Sequence, residues 1–338
     1  MSRTILVTGT AGFIGFHLAR HLLEEGFMVV GFDGLTDYYD VTLKEKRHEI
    51  LSRNPNFRAH IGMLEDFDFL SRTVTEAAPD VIVHLAAQAG VRYSLENPRA
   101  YIDTNLTGTF NLMETARSSG VDHLLMASTS SVYGGNKDMP FNETQPTDMP
   151  LTLYAATKKA NEAMAHSYAH LWHIPTTMFR FFTVFGTYGR PDLALFKFVR
   201  AALAGEAIDV YNYGEMARDF TYVDDLVRSI RLLIDKAPPA PGIGETPVPG
   251  DSLSPVAPFR VVNIGNGQSV PLMTFISEIE KALGQPIKKN MMEMQKGDVP
   301  ATWANTDLLE ALTGYRPNTP VETGIAKFVD WYREYYEV

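Results

Sequence analysis

Short apolar runs alternate along this chain with longer stretches of helical period. The run "TILVTG" (4–9) is brief and β-branched, and "GFIGFHLARHLLEEG" (12–26) then repeats its apolar residues every three or four positions until Gly26 stops it. Further buried-strand patterns follow at "FMVVGFD" (27–33), "DVIVHLAA" (80–87), "HLLMAST" (123–129) and "TTMFRFF" (176–182), with helical stretches near 99–119 and 154–173. The alternation predicts an α/β protein: a Rossmann-type, doubly wound parallel sheet covered on both faces. Past about residue 185 it loosens into loops, short strands and helices such as "MTFISEIEKALG" (273–284). That pattern predicts a smaller C-terminal α/β lobe over the carboxyl ends of the sheet strands, where such folds bind ligands.

One stretch has no period at all. "KAPPAPGIGETPVPGDSLSPVAPF" (236–259) is dense in Pro and Gly and reads as a long surface loop. No apolar run reaches the roughly 20 residues of a membrane span, and nothing at the N-terminus resembles a signal or transit peptide. The expectation is a soluble, cytoplasmic protein. With no cysteine among 338 residues, disulfides, thiolate nucleophiles and Cys-based metal sites are excluded. The nine histidines show no metal-ligand spacing, so no metal site is expected. A net charge of −10 argues against a general nucleic-acid surface. It also means that an anionic substrate must be met by local arginines and lysines.

The first candidate chemistry is "TGTAGFIG" (8–15), where Gly9, Gly12 and Gly15 follow a strand and open a helix. Glycines there allow a tight turn and a close backbone approach to a pyrophosphate at the helix N-terminus. Asp33 ends the second strand, placed to accept hydrogen bonds from an adenosine ribose and to repel a 2′-phosphate. No Arg or Lys follows before Lys44, so NAD is favoured over NADP. The second is "ASTSSVYGG" (127–135) followed by "LYAATKKANE" (153–162). Tyr154 and Lys158 are one helical turn apart and share a face. An ammonium near the phenol is expected to lower its pKa, making a base for a sugar hydroxyl.

With these motifs in place, the chain resembles the extended short-chain dehydrogenase/reductase family over nearly its whole length. The match is to its nucleotide-sugar epimerases, and within them to the UDP-glucuronate branch. The resemblance is carried by "FDGLTDYYDVTLKEKR" (32–47), "HLAAQAGVRYS" (84–94), "FFTVFGTYGRPDLALFKF" (181–198), "NYGEMARDFTYVDDLV" (212–227) and "KGDVPATWANTDLLEALTGYRP" (296–317). It implies an NAD-binding domain over 1–184, with segments near 212–235 and 260–268 returning to it, and a UDP-sugar lobe over most of 185–338. It implies that Thr129, Tyr154 and Lys158 are catalytic, with Lys158 holding the nicotinamide ribose. Phe13, Ile14, Leu64, Leu85, Ala86, Ala87, Gln88 and Asn105 join the glycines and Asp33 around the cofactor. Arg218 and Asp298 contact UDP. A homodimer through a four-helix contact is also implied, using the helices near 99–119 and 154–173, with Leu106, Phe110, Leu112 and Met113 among the apolar residues of the first.

The implied reaction is inversion at carbon 4 of UDP-glucuronate through a 4-keto sugar, with retained NAD. The alternatives are a neutral UDP-hexose as substrate, or decarboxylation. Dehydratases of this family carry an acidic pair after the active-site Thr, and decarboxylases a Glu before Val-Tyr-Gly. Here Ser130 and Ser131 occupy those places. A 4-keto glucuronate is a β-keto acid, so an epimerase must hold its carboxylate out of alignment. Thr129, Ser130, Ser131 and Thr183 are the candidate donors, with Arg190 the local cation.

Some positions depart from the family or carry plainer readings. Gly62-Met63 replaces the usual Gly-Asp, leaving backbone or Asp66 to meet the adenine. Phe182-Thr183 replaces Phe-Asn, and Lys296 stands where Pro is common. Arg92 reads equally as a substrate contact or a surface ion pair. Arg218 has Asp219 and Asp224 as structural partners within reach. Ser128, Ser130 and Ser131 can satisfy backbone at a strand end. His84 reads as a packed core histidine, and "WYREYYEV" (331–338) as a helix packing face.

Overall fold

The computed structural model describes residues 3–243 and 247–338. Its strands are β1 Thr4–Thr8, β2 Met28–Asp33, β3 Phe57–Ile61, β4 Val81–His84, β5 His123–Thr129, β6 Thr176–Phe181, β7 Thr183–Phe185, β8 Ile208–Val210, β9 Ala217–Arg218, β10 Phe220–Tyr222, β11 Phe259–Ile264, β12 Val270–Pro271 and β13 Lys289–Met291. Seven of them form one parallel sheet in the order β11-β6-β5-β4-β1-β2-β3. Both faces are covered, which is why the inner strands read as continuous apolar runs rather than alternating ones. In β1 the side chains still divide by face. Ile5 and Val7 join a core with Phe16, Leu226 and Ile230. Leu6 joins the opposite core with Ile82, Leu112 and Met178.

The sheet draws β11 from the later chain beside β6, and the helix Val223–Ile234 packs against the helix Phe13–Glu24. A separate core fills the C-terminal lobe, where Phe220 and Phe275 stack with ring centroids 4.0 Å apart and meet Phe185 edge-on, and where Phe196, Phe328 and Trp331 pack on one another. The final helix, Val321–Tyr336, contributes Trp331, Tyr332, Tyr335 and Tyr336 to this aromatic packing. Two short parallel pairs, β7 with β10 and β8 with β13, complete the lobe's framework.

The helical stretch read near 99–119 is not one regular helix. Wide π-type turns run from Tyr101 to Gly108 and pass into an α-helix at Thr109–Ser119. Such turns recur at functional sites because they re-aim side chains. Of the Pro/Gly-rich loop, Gly244, Glu245 and Thr246 lie outside the described residues. Its other described residues, up to Pro258, carry no helix or strand, and its C-terminal part is held down. Asp251 receives both arms of Arg260 at 2.9 Å, and His170 bonds the Val256 carbonyl at 2.7 Å. None of the loop's described residues borders the main cleft. No helix among the described residues is long and apolar enough to cross a membrane.

Glu143 offers a direct test of the packing beneath β11. It is buried and accepts the Asn263 amide at 2.8 Å. Burial raises its carboxyl to about 7 from 4.5, against hydrogen bonding and Arg180, which lower it. The folded state therefore binds the proton more tightly than the unfolded chain, so stability is lost as pH rises through this window and stays lost above it. Glu143→Gln keeps the acceptor and removes the buried charge. Urea unfolding should show the variant more stable than the parent at about pH 8, by on the order of 3 kcal/mol at most, with the gain shrinking toward zero below about pH 5.

Candidate active site

The strands of the parallel sheet end at one edge, and a continuous cleft of about 1520 Å³ lies between that edge and the C-terminal lobe. At one end is the glycine turn. Gly9 has φ +81°, and a Cβ added to Gly15 would stand 2.0 Å from the Gly9 carbonyl oxygen. One on Gly12 would stand 2.9 Å from the same atom, and one on Gly9 2.9 Å from the Ala86 nitrogen. The turn closes only without side chains, and the helix Phe13–Glu24 starts from it. This is a cradle that fits a dinucleotide pyrophosphate.

Phe13, Ile14, Leu64, Leu85, Ala86, Ala87 and Gln88 all border this end, as does Asp33. The Asp33 carboxylate accepts the Ala11 amide at 2.9 Å and the Leu35 amide at 2.8 Å, tying the glycine turn to the end of β2. Each oxygen keeps a lone pair for a ribose hydroxyl. Lys44 also reaches the cleft, bonding the Thr36 carbonyl and facing the Tyr39 ring. Asp66 does not line the cleft. Its carboxylate caps the helix Phe67–Ala77 through the Phe69 amide.

Asn105 is fully buried behind the cleft wall rather than in it. Its amide accepts from Gln88 N at 2.8 Å and donates to Gln88 O at 3.0 Å and to Thr157 at 3.2 Å. Asn105 therefore holds the Gln88 backbone, which borders the cofactor end of the cleft, against the helix Leu153–Trp172.

That helix is N-capped by Thr152, whose hydroxyl accepts the Ala155 amide. Its first turns place Tyr154 and Lys158 at the floor of the cleft, beside Thr129 at the end of β5. Lys158 is buried and donates to the Ala127 carbonyl at 3.1 Å. Burial pushes its ammonium down to about 8. The phenol of Tyr154 behaves differently from the expectation. Burial raises it, and the opposing influences are a hydrogen bond with Thr129 and the charge of Arg190, not Lys158. The ammonium is directed to the strand carbonyl, so the helical spacing alone does not deliver the tuning.

Toward the lobe, Ser130, Ser131 and Thr183 line the cleft with Thr129, on a turn after β5 and on β7. Thr129 Oγ1 accepts the Ser131 amide at 3.2 Å. Arg92, Arg218 and Asp298 lie at the far end. Arg92 makes the ion pair read from the sequence, with Asp298 at 3.3 Å, and it also borders the cleft, over the Tyr211 ring. Arg218 bonds the carbonyls of Ala217 and Pro300 and pairs with neither Asp219 nor Asp224. Asp219 is occupied by the amides of Asn266, Gly267 and Ala304, and Asp224 lies beside His17 and Arg20.

Arg190 is not a free cation. Its guanidinium holds both oxygens of Asp192, at 2.9 and 2.5 Å, under the Tyr38 ring. Burial opposes its charge, yet the pairing keeps it protonated more firmly than an ordinary arginine and holds Asp192 below the usual carboxylate range. Asp192 and Tyr38 were not found from the sequence, although Asp192 stands two positions from Arg190 in "GRPD". His84 is a core residue, bonded to Thr8 and Thr109 and pushed down to about 3 by burial and then by Lys158. Ser128 bonds Glu162 rather than backbone.

The sequence matches the model of the "NAD dependent epimerase/dehydratase family" over residues 5–243. It is 59% identical to a "Probable UDP-glucuronate 4-epimerase" of Rhizobium meliloti, covering 98% of this chain and 97% of that protein. It is 43% identical to "UDP-glucuronate 4-epimerase 4" of Arabidopsis thaliana, over 98% of this chain and 76% of the plant protein. Among solved structures, a UDP-glucuronic acid 4-epimerase from Bacillus cereus, in complex with UDP-glucuronic acid and NAD, superposes with a TM-score of 0.87. The two are 31% identical, with 98% of this chain and 100% of that one covered.

The glycine turn gives the test of this half of the cleft. Gly15→Ala should cut the NAD that copurifies with the protein by more than about tenfold. Nucleotide released on denaturation and quantified by chromatography measures it.

Proposed function

The chain belongs to the NAD-dependent epimerase/dehydratase family, and on that premise we propose that it inverts carbon 4 of UDP-glucuronate to give UDP-galacturonate through a transient 4-keto sugar. The observation that carries this reading is the arrangement of one cleft. Thr129, Tyr154 and Lys158 stand at its floor, between a glycine cradle at one end and Arg92, Arg218 and Asp298 at the other. Residues 1–184, with 212–235 and 260–268, are assigned to NAD. Most of 185–338 is assigned to the UDP-sugar.

Gly9, Gly12, Gly15 and Asp33 would hold the dinucleotide. Bound there, NAD supplies a ring that accepts a hydride and gives it back, so it is unchanged over a cycle. Tyr154 takes the proton of the 4-hydroxyl and later returns it to the oxygen of the 4-keto sugar, after the sugar has presented its opposite face. Thr129 steadies that oxygen and offsets, with Arg190, the cost of ionising a buried phenol. Arg218 and Arg92 take the diphosphate.

The hydroxyls of Thr129, Ser130 and Ser131 on one wall and Thr183 on the other are assigned to the sugar carboxylate. Held by these donors, its bond to carbon 5 stays poorly aligned with the 4-ketone, which opposes loss of CO2. The pairing of Arg190 with Asp192 favours one second reading, a neutral UDP-hexose, because that cation is already balanced.

A homodimer through the helices at 99–119 and 153–172 completes the proposal. Ile102, Phe110, Leu171 and Trp172 are exposed there, whereas Leu112 and Met113 are buried under the sheet. The cytoplasm is the assigned location, consistent with a chain that has no cysteine.

Incubated with UDP-glucuronate and no added NAD, the purified protein should produce UDP-galacturonate, read by proton NMR of the sugar ring. UDP-pentose with CO2 would mean a decarboxylase, and turnover of UDP-glucose alone a neutral-hexose enzyme. Tyr154→Phe should lower kcat by roughly 10²- to 10⁴-fold. Thr183→Val should raise the share of substrate lost as CO2. Unchanged turnover without extra CO2 would remove Thr183 from the carboxylate site.

A further inference from the structure

Behind the cleft, out of contact with it, lies a buried ion pair that the proposed chemistry does not use. Glu162 and Arg180 are 4% and 3% exposed. Glu162 Oε1 accepts from Arg180 Nε at 2.9 Å and from the Ser128 hydroxyl at 2.6 Å, and Oε2 accepts from Arg180 at 2.9 Å. The third arm of the guanidinium donates to the Glu143 carbonyl at 3.2 Å, and its face lies 4.8 Å from the Tyr133 ring. Tyr133 in turn donates to Asn263 at 2.7 Å.

We infer that Glu162 and Arg180 are positioning residues, whose bonds to Ser128 and packing on Tyr133 fix where Thr129, Ser130 and Ser131 stand against Tyr154 and Lys158. The inference rests on the reading of those residues as the reacting and carboxylate-holding groups.

Three features lead there. The first is spacing. Tyr154, Lys158 and Glu162 follow one another at successive turns of one helix face. Tyr154 meets Thr129, Lys158 bonds the Ala127 carbonyl and Glu162 bonds Ser128. Three consecutive residues at the end of β5 are therefore each engaged by one turn of the same helix.

The second is that the pair brackets the hydroxyl-bearing segment. Ser128 precedes Thr129, and Tyr133 ends the turn that holds Ser130 and Ser131. The third is chemical. Two buried charges carry a desolvation cost that an apolar pair of the same volume avoids, so a buried ion pair is weak evidence of a stabilising role. What it supplies is direction, since a bidentate guanidinium–carboxylate contact tolerates little rotation.

Glu162→Gln turns one carboxylate oxygen into a donor facing the Arg180 donors while keeping the side-chain shape. Ser128→Ala leaves the ion pair intact and removes only its link to the strand, so it decides the matter if the first variant does not fold. Each is compared with the parent as NAD-loaded protein, with Tyr154→Phe in every background as the reference. The phenol of Tyr154 is followed by its near-ultraviolet phenolate absorbance, which needs no substrate. Thr129 and Arg190 lower that phenol, and Lys158 and the Tyr101 ring lie beside it.

Displacing Thr129 removes a lowering influence. The Tyr154 midpoint should move up by about half a pH unit or more. The acid limb of the kcat profile should move with it, because the ionised phenol is the base. With UDP-glucuronate, kcat should fall about tenfold to a hundredfold in Glu162→Gln and several-fold in Ser128→Ala, with KM nearly unchanged. A lower melting temperature with an unmoved phenol midpoint and unchanged kcat per NAD-loaded molecule would overturn the inference. If the parent does not turn over UDP-glucuronate but the phenol midpoint still moves, the substrate reading fails and the positioning role stands.

Discussion

The contact between the Lys158 ammonium and the Ala127 carbonyl is the constraint on which the rest of the site depends. An ammonium with almost no exposure cannot be left to find its own partner, because an unpaired buried charge is among the costliest defects a fold can carry. Its bond to the strand sets the height of the helix Leu153–Trp172 on β5. That height puts Tyr154 beside Thr129. β5 must then be buried on both faces, which every residue of His123–Thr129 satisfies. The covering helices and the flanking strands β4 and β6 follow from the same requirement. The chemistry sits at the strand's end because only there do side chains leave the packed interior.

Much of this was legible in the chain itself, and what was legible is local. Gly9, Gly12 and Gly15 are read from their spacing between a strand and a helix, and the turn they form brings a would-be Cβ to 2.0 Å from a carbonyl, which admits no other residue. Tyr154 and Lys158 are read as one face of a helix from their four-residue spacing. The long-range pairings were hidden. Glu162 and Arg180 are on different elements, and no period connects them. Arg47 is buried, donating to Ala11, Tyr39 and Tyr188, so it ties the glycine turn to the start of the lobe, yet nothing in the sequence pattern singles it out. Asn105 was read by type, and its bonds to the Gln88 backbone and to Thr157 were not foreseen. Which way an amide points depends on the π-type turns at Tyr101–Gly108, and local pattern does not announce those.

The tuning of Tyr154 shows the same limit from the side of energy. Helical spacing brings an ammonium within reach of the phenol, but the sign of the net effect is decided by burial, which the spacing does not contain. A buried phenol resists ionisation until enough positive charge and hydrogen bonding surround it. Within the chain, Thr129 and Arg190 supply part of that, and they stand on β5 and on the segment after β7, far from the helix in sequence. The environment of this phenol is therefore a property of three elements meeting, not of a motif.

The charge pattern of the cleft carries the argument one step further. The chain has a net charge of −10, and a nucleoside-diphosphate sugar is itself an anion, so the two repel at long range. Two of the cleft's arginines are matched by carboxylates, Arg92 by Asp298 and Arg190 by Asp192. Arg218 has no carboxylate within ion-pairing distance among the described residues; its bonds run to two carbonyls, and burial and then Arg92 lower its pKa while Asp298 raises it. Arg92, Arg218 and Asp298 thus form a cluster with two cations and one anion, short of one negative charge. A diphosphate placed between the arginines meets that shortage and relieves their mutual repulsion. Arg190 gains nothing comparable, because Asp192 already holds both of its arms. On the proposed reading, this asymmetry favours Arg218 and Arg92 as the diphosphate partners and leaves Arg190 to act on Tyr154.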